Sequence, residues 1–164
     1  MYDPEKAHYL TATCVVVKDG KFLIAKRSEK EKNWPGKWTV PGGKLEKKDY
    51  MDRPHDTEDK HWYNVFEGSV RREVKEEVGL DIKNIRYLTS IAFERDDGIP
   101  TIIVSLYANS DGSKIKLSPE LAEYKWVNLK EAKKYDLIAG IYEELEMLDK
   151  VLKGEDTSEW KKTE

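Results

Sequence analysis

The densest cluster of chemically useful side chains in this sequence is the segment 72–80, which reads REVKEEVGL. At about 100° per residue, a helix places Glu73, Glu76 and Glu77 within a sector of roughly 100° beside its valines. Oxygen ligands of this kind suit Mg²⁺ or Mn²⁺, which also bridge to phosphates. A solvated acidic face is the alternative, because Arg72 lies four residues before Glu76 and the two can pair within the helix.

The helix that carries these glutamates is predicted from the spacing of its apolar residues. We expect it to begin near Val65, where Asn64 and Glu67 fit a capping box, and to end at Gly79, a common C-terminal cap. Glu77 lies nearest the apolar stripe, so its carboxylate is expected at the edge of the core, where burial is costly without a cation. The stripe recurs every four residues and consists of Phe66, Val70, Val74 and Val78.

Two hairpins and a glycine-rich loop are predicted around this helix. Asp19-Gly20 separates two apolar runs and Asp96-Asp97-Gly98 separates another pair, so each is expected to be a hairpin turn. Gly42 and Gly43 form a turn where backbone can approach a ligand closely. The expected strands are 11–17, 22–27, 38–40, 85–94, 101–109 and 124–128, and the later helices are 129–135 and 138–152. This order predicts an α/β (α+β) fold, a mixed β-sheet sandwiched between helices.

Length and composition predict one domain without a membrane span. The chain has 164 residues and a net charge of −3, which argues against a binder of nucleic-acid polymers, because such proteins present a basic face. No apolar run approaches the roughly 18 residues of a membrane helix, and the N-terminus does not resemble a signal peptide. Cys14 lies in an apolar run, so we expect it to be buried and the protein to be cytoplasmic. We expect the domain to cover residues 1–153 and residues 154–164 to form a polar, disordered tail.

The helix and the loop before it resemble the signature of the Nudix hydrolase family, G-x5-E-x7-R-E-U-x-E-E-x-G-U, in which U is a bulky aliphatic residue. Segment 72–80 matches the second half at every fixed position. The segment 41–46, PGGKLE, is similar to the usual start of the signature, with Gly43 as its first glycine. The resemblance extends over roughly residues 10–150 and implies the Nudix fold.

The first half of the signature departs from the family pattern. Counting forward from Gly43 puts Asp49 at the glutamate position, whereas counting back from Arg72 puts Asn64 there, 15 residues further along. We therefore expect an insertion at about 47–63, in a polar segment that has no helical or strand period. Which of the two residues replaces the first glutamate stays open at this point.

The resemblance implies a metal-dependent site. Glu76 and Glu77 are then the main ligands of Mg²⁺ or Mn²⁺, and the backbone carbonyl near Gly43 is a further ligand. Glu73 is a metal ligand or the base that activates water, and Arg72 orients a glutamate, so that Glu73, Arg72 and Glu76 form the expected catalytic group. Such a site neutralises a diphosphate, orients water in line and stabilises charge on the leaving oxygen.

Residues outside the signature are expected to complete the site. Glu120 and Glu123 are candidates for the base or an extra metal ligand, and Glu46 for a supporting position behind the ligands. Arg27 and Lys44 are candidates for phosphate contacts. Four aromatic residues are candidates for stacking on a base or ring, although Trp38 and Tyr107 are expected to serve the core instead: Trp34, Trp38, Phe93 and Tyr107.

The function implied by the resemblance is Mg²⁺-dependent hydrolysis of the pyrophosphate linkage in a small nucleotide, by water attack on phosphorus. We favour (deoxy)nucleoside triphosphates, converted to the monophosphate and pyrophosphate, because Asp96 occupies the position where the ADP-ribose subgroup often has proline. An ADP-ribose or nucleotide-sugar pyrophosphatase is the alternative. A Nudix-like nucleotide sensor without turnover is the alternative from a different class, and a homodimer is left open.

Overall fold

The strands and helices follow the predicted order of strands, helix, strands and helix. The computed structural model describes residues 1–155 and 159–162. The strands are Tyr9–Lys18 (β1), Lys21–Arg27 (β2), Trp38–Thr39 (β3), Gly42–Lys44 (β4), Ile82–Glu94 (β5), Pro100–Ser110 (β6) and Leu121–Val127 (β7). The helices are Lys48–Met51 (α1), Val65–Val78 (α2), Leu129–Ala132 (α3) and Ile141–Leu152 (α4), preceded by a 3₁₀ turn at Pro4–Lys6.

Both predicted hairpins are confirmed. β1 and β2 pair antiparallel across Asp19 and Gly20, whose φ values of 49° and 71° are both positive. A two-residue turn with positive φ at both positions matches the right-handed twist of its strands, which is why Asp-Gly is favoured there. β5 and β6 pair antiparallel as the second hairpin, and Gly98 supplies a φ of 76° in its turn.

The sheet is mixed and β1 lies at its centre. The strand order is β3-β2-β1-β6-β5, with β1 and β6 parallel and the other pairs antiparallel. One edge of β1 is shared, because β2 pairs with its end at Val17 and Lys18, whereas β4 pairs with Thr11–Thr13 near its start. β7 continues the sheet beyond β2. This fork fixes the glycine-rich strand β4 against the start of β1.

Helices cover both faces of the sheet, as predicted. Side chains of β1 alternate between the two faces, so that Cys14 packs with the apolar stripe of α2 on one face and Val15 packs with Leu145 of α4 on the other. The four-residue stripe is confirmed, since Val70, Val74 and Val78 are fully buried and Phe66 packs against them. Burial of this stripe fixes the rotation of α2 and therefore the direction of its glutamates.

The predicted capping box at Asn64 and Glu67 is wrong. Asn64 has a φ of 54°, in the left-handed region, and its side chain makes no capping hydrogen bond. A cap residue normally has extended backbone so that its side chain reaches the first helical N–H groups. That geometry occurs instead at Asn128, which forms a reciprocal capping box with Glu131 at the start of α3. The end of α2 is as expected, because Gly79 takes a φ of 74°.

The insertion is a closed surface loop that contains the short helix α1. Arg53 Nη1 donates to both carboxylate oxygens of Asp56, at 2.7 and 2.8 Å, and Nη2 donates to the backbone oxygen of Tyr63 at 2.5 Å. Trp62 donates from its indole to the Arg53 carbonyl and packs against Tyr50. These contacts join the two ends of the loop to each other.

The turn predicted at Gly42 and Gly43 is wrong, because these residues form strand β4, and the insertion, in which the sequence shows no helical period, contains α1. The remaining differences are at element ends. β7 begins three residues before the predicted strand, and α4 begins at Ile141 rather than at residue 138. Residues 156–158 and 163–164 of the predicted tail lie outside the described residues. None of the helices in the described ranges is long and apolar enough to cross a membrane.

Candidate active site

Glu77 lies at the contact between α2 and the glycine-rich strand. The Gly42 N–H donates to Glu77 Oε2 at 3.1 Å. Burial raises the pKa of Glu77 to about 8; the Gly42 hydrogen bond lowers this pKa, and the nearby Glu73 and Glu120 carboxylates raise it further. The residues described by the structure provide no ion pair to Glu77. Its negative charge is therefore poorly compensated by the protein itself.

Glu73 packs directly on the backbone of Gly43. A Cβ atom added at Gly43 would lie 2.5 Å from Glu73 Cδ, so only glycine allows this carboxylate to approach the strand. Burial raises the pKa of Glu73, while the positive charge of Arg72 lowers it. Two partly buried carboxylates thus face the Gly42–Gly43 backbone from consecutive turns of one helix.

Arg72 joins three carboxylates. Its Nε lies 2.5 Å from Asp49 Oδ1, its Nη1 lies 3.0 Å from Glu76 Oε2, and its Nη2 lies 2.8 Å from Glu73 Oε1. The Nη2 contact brings the charges together but is not aligned as a hydrogen bond, and Nη2 has no aligned acceptor among the described atoms. The hydrogen bond with Asp49 is the main reason that the pKa of Arg72 is raised above its ordinary value.

Asp49, not Asn64, is the residue that the fold brings to Arg72. The Asp49 side chain is fully buried at this contact. Burial by itself raises the pKa of Asp49, but hydrogen bonds from Arg72 and from the Glu46 N–H outweigh burial and lower it. The count from Gly43 therefore identifies the acidic partner of Arg72, and Asp49 lies in α1 at the start of the insertion.

The other acidic residues predicted for the site differ in their exposure and in their distance from the buried glutamates. The Glu76 side chain is 58% exposed and contacts Arg72. Glu120 is exposed but close enough to Glu77 to raise its pKa, whereas Glu123 pairs with Lys125 at 3.2 Å. The Glu46 carboxylate lies 3.3 Å from Lys48, and only its backbone N–H reaches the cluster.

The basic residues around the cluster are divided between paired and accessible groups. Arg27 is paired with Glu31 at 3.0 Å and donates to the Asn33 carbonyl at 2.8 Å. Lys44 lies beside Gly43, with its ammonium 5.4 Å from the centre of the Tyr9 ring. The Arg95 guanidinium is also 5.4 Å from this ring, but it is paired with Asp97 at 2.8 Å. Sequence reasoning missed Tyr9 and Arg95, because one precedes the signature and the other lies in a distant hairpin turn.

Two of the four candidate aromatic residues lie in the core, as the sequence predicts, and two are partly exposed. Trp38 is buried and packs edge-on against Tyr135, and Tyr107 packs in the same core. Trp34 is 52% exposed and Phe93 is 38% exposed, so these two remain available to a ligand.

The oxygen ligands at this site suit a hard divalent cation, but they leave part of its coordination shell to water or substrate. No group of three or more His, Cys, Asp or Glu side chains within the described ranges is already arranged to hold a metal. The buried carboxylates of Glu73 and Glu77, with backbone carbonyls of the adjacent glycine strand, offer oxygen ligands alone. Mg²⁺ and Mn²⁺ prefer such ligands and keep water or phosphate oxygens in the remaining positions.

Comparison with known proteins identifies relatives for most of this chain. A family model described as the NUDIX domain matches residues 8–147. The nucleoside triphosphatase NudI of Escherichia coli strain K12 is 25% identical over 139 residues, which cover 77% of this chain and 87% of NudI.

Solved structures share the fold. The MutT protein from Methanosarcina mazei Go1 superposes with a TM-score of 0.64 at 26% identity, covering 91% of this chain and 98% of that one. The NUDIX domain of Shewanella oneidensis NrtR, solved in complex with ADP ribose, gives a TM-score of 0.66 at 21% identity and covers 92% of this chain and 94% of that one.

Proposed function

Because this chain belongs to the NUDIX family of hydrolases, we propose that it cleaves nucleoside triphosphates into the nucleoside monophosphate and pyrophosphate, with Mg²⁺ or Mn²⁺. The observation that carries the proposal is the Glu77 carboxylate, buried against the Gly42 N–H and without an ion pair among the described residues. A buried carboxylate needs a cation or several hydrogen bonds to be stable as an anion, and Glu77 accepts a single hydrogen bond from the described residues, from Gly42. The site therefore favours a metal-binding role for these glutamates over a solvated acidic helix face.

The signature residues would hold the metal. Glu77 and Glu73 would supply oxygen ligands from α2, the carbonyl near Gly43 a third, and Glu76 a fourth after it leaves Arg72. When bound, Mg²⁺ neutralises phosphate oxygens and stabilises charge on the leaving group. Gly42 holds one oxygen of Glu77 in place, and Arg72 keeps Glu73 in its orientation.

The chain's own groups would handle the proton and the phosphates. A water oxygen forms a bond to phosphorus, the bond from phosphorus to the pyrophosphate oxygen breaks, and a carboxylate accepts the proton of the water. Glu73 and Glu120 are the candidates for this base. Lys44, which lies near the Tyr9 ring, presents an exposed cation for phosphate oxygens. Arg95 lies near the same ring and would contribute after it leaves Asp97.

The choice of substrate is supported by the relative NudI, which is named a nucleoside triphosphatase. The NrtR domain in complex with ADP ribose keeps an ADP-ribose or nucleotide-sugar substrate as the second candidate. Retention of Glu73, Glu76 and Glu77 favours an enzyme over a nucleotide sensor. A cytoplasmic location is part of this proposal, because its nucleotide substrates are present there, and a homodimer stays open.

A substrate panel tests the proposal. Purified protein is incubated with nucleoside triphosphates, ADP-ribose and dinucleotides, with and without Mg²⁺, and products are separated by chromatography. We expect metal-dependent release of monophosphate and pyrophosphate from triphosphates. Glu76→Gln and Glu77→Gln should each reduce kcat by roughly 10²-fold or more, since each removes a charged ligand. Release without metal, or near-normal rates of both variants, would defeat the metal assignment.

A further inference from the structure

The insertion contains a small aromatic cluster of its own. The ring centre of Trp62 lies 5.4 Å from that of Tyr50, edge to face, and 4.5 Å from that of His55. The indole N–H of Trp62 also donates to the Arg53 carbonyl at 3.1 Å. Tyr50 and Trp62 are partly buried, whereas most residues between 47 and 63 are exposed. Edge-to-face rings and a paired indole N–H are features of packed interiors, so these contacts hold the insertion in one arrangement.

This cluster is adjacent to the residue that binds Arg72. Asp49 and Tyr50 are consecutive residues of α1. Consecutive side chains of a helix point about 100° apart, which allows Tyr50 to contact Trp62 while Asp49 contacts α2. The Asp49 side chain is fully buried there, and its Oδ1 accepts a hydrogen bond from Arg72 Nε at 2.5 Å. α1 therefore contacts both the Trp62 ring and the helix that carries the glutamates.

α1 cannot hold this position by itself. It has four residues, and its N-terminal cap makes no side-chain hydrogen bond. A single helical turn is unstable in isolation, because its nucleation fixes several backbone angles for one hydrogen bond. After α1, the chain forms no further helix or strand until α2 begins at Val65. The position of α1 therefore depends on its side-chain contacts, and the contact between Tyr50 and Trp62 is one of them.

We propose that Trp62 is a positioning residue for catalysis: it holds α1 in place, and α1 holds Arg72 through Asp49. Arg72 in turn contacts Glu73 and Glu76. The inference rests on the proposed function, because these glutamates are proposed to bind the metal. When the aromatic cluster loosens, Asp49 leaves Arg72 and the two glutamates lose their orientation. Loss of a residue that orients metal ligands typically costs roughly 10- to 100-fold in activity or metal affinity.

Steady-state kinetics of Trp62→Ala test the proposal. We expect kcat for the best triphosphate to fall roughly 10-fold or more while KM changes less than about threefold, because the substrate contacts remain. Trp62→Phe keeps a ring against Tyr50 and should recover most of kcat.

Tyr63→Ala is the matched control for the loss of an aromatic ring from the insertion. The Tyr63 side chain is exposed, and its backbone makes the hydrogen bonds to Arg53 and Asp56. We expect kcat of this variant to stay within about twofold of the wild type. Normal kcat in a folded Trp62→Ala protein, or an equal loss in Tyr63→Ala, would overturn the proposal.

A double variant tests the route through Asp49. If Trp62 acts through Asp49, the protein with both Trp62→Ala and Asp49→Asn should have a kcat within about twofold of Asp49→Asn alone, because the contact that Trp62 maintains is already lost. Losses that multiply in the double variant would show that Trp62 acts by another route, against the proposal.

The Nε–H group of Arg72 gives a readout that needs no turnover. It donates to a buried carboxylate, so it should give a slowly exchanging signal in ¹H–¹⁵N NMR spectra of the wild type. Arg72→Lys removes this signal and thereby assigns it. We expect the signal to weaken or shift in Trp62→Ala and to persist in Tyr63→Ala. Backbone amide signals of the paired strands β1 and β6 should be unchanged in both variants, which shows that the fold is intact.

The same readout separates this proposal from the proposed function. If no triphosphate is hydrolysed but Trp62→Ala changes the Arg72 signal, the hydrolase proposal fails and the positioning of Asp49 by Trp62 stands. An unchanged Arg72 signal in a folded Trp62→Ala protein would remove the positioning role, whatever the activity.

A second variant covers the case in which Trp62→Ala does not fold. Tyr50→Ala removes the other ring of the pair and leaves Trp62 in place. We expect the same change in the Arg72 signal and a similar loss of kcat. An unaffected signal in a folded Tyr50→Ala protein would show that the aromatic cluster does not hold Asp49.

Discussion

The Asp49 carboxylate is fully buried and lies 2.5 Å from Arg72 Nε, although 23 residues separate the two along the chain. The same guanidinium contacts Glu73 and Glu76 through its other nitrogens. Asp49 thus contacts Arg72 through Nε, the guanidinium nitrogen that neither glutamate contacts. The ion pair transmits the position of α1, at the start of the insertion, to the carboxylates of α2.

Asp49→Asn should reduce catalysis without removing substrate affinity. The amide keeps the shape but loses the charge that anchors Arg72, so the glutamates lose their orientation. We expect kcat to fall roughly 10- to 100-fold, with KM changed less than about threefold. Steady-state kinetics measure both, and Asp49→Glu should recover part of kcat. Asp52→Asn, in the exposed part of the insertion, serves as the control; a similar loss there would argue for a general effect on the loop.

Metal affinity should rise with pH up to about 8, the pKa to which burial raises Glu77. Below that pH the carboxyl is protonated in the metal-free protein, so a cation must displace the proton. The apparent Mn²⁺ association constant should increase by up to about tenfold per pH unit between about 6 and 8 and then level off. Calorimetric titrations at several pH values measure this slope. Glu77→Gln should abolish it, and a flat affinity in the wild type would contradict the role of Glu77.

The same pKa predicts how the metal-free protein responds to pH. The folded value of about 8 lies above the ordinary value of 4.5, so the folded state binds the proton more tightly than the unfolded state. The stability from this group is fully present below pH 4.5 and is lost as pH rises to about 8. Denaturant unfolding in a chelator should show this decline in the wild type and less of it in Glu77→Gln. An equal decline in both proteins would assign the effect to other groups.

Gly43→Ala and Gly68→Ala should have opposite effects. An added Cβ at Gly43 would collide with Glu73, so we expect roughly a 10- to 100-fold loss of kcat/KM as the carboxylate moves. At Gly68 the nearest atom to the new Cβ is 3.6 Å away, and alanine within a helix should stabilise α2 by about 0.5–1 kcal/mol. Kinetics and thermal unfolding of both variants compare the two glycines. Normal activity of Gly43→Ala would mean that Glu73 can withdraw without consequence.

Glu120→Gln and Glu123→Gln distinguish between the two acidic residues near β7 as candidates for the general base. Glu120 raises the pKa of Glu77, whereas Glu123 pairs with Lys125 on the sheet. We expect Glu120→Gln to reduce kcat roughly tenfold or more and Glu123→Gln to stay within about twofold of the wild type. The pH profile of kcat for each variant checks whether a titrating base has been lost. The reverse order of effects would exchange the two assignments.

The predictable parts of this structure depend on local patterns. The valine stripe of α2 follows from the helical period of its apolar residues, and the Asp-Gly turns follow from the backbone preferences of those two residues. Both signals lie within a few residues of the chain. The sequence could not decide whether Asp49 or Asn64 takes the place of the first signature glutamate, because the insertion changes the spacing between Gly43 and Arg72. Only the fold shows that Asp49 lies against Arg72. The burial of Glu144 in α4 gave no signal, because its hydrogen-bond partner Ser105 is 39 residues away and a glutamate on an amphipathic helix is expected at the surface.

The closed insertion has a practical consequence for engineering. Arg53 and Tyr63 are tied together, so the tip between them is anchored at its base and does not depend on the carboxylates for its position. Lengthening such a tip costs little free energy, because loop-closure entropy grows only with the logarithm of loop length. A peptide tag or a small reporter domain placed near Glu58 and Asp59, which are exposed, should therefore be tolerated without a change in the hydrolytic centre.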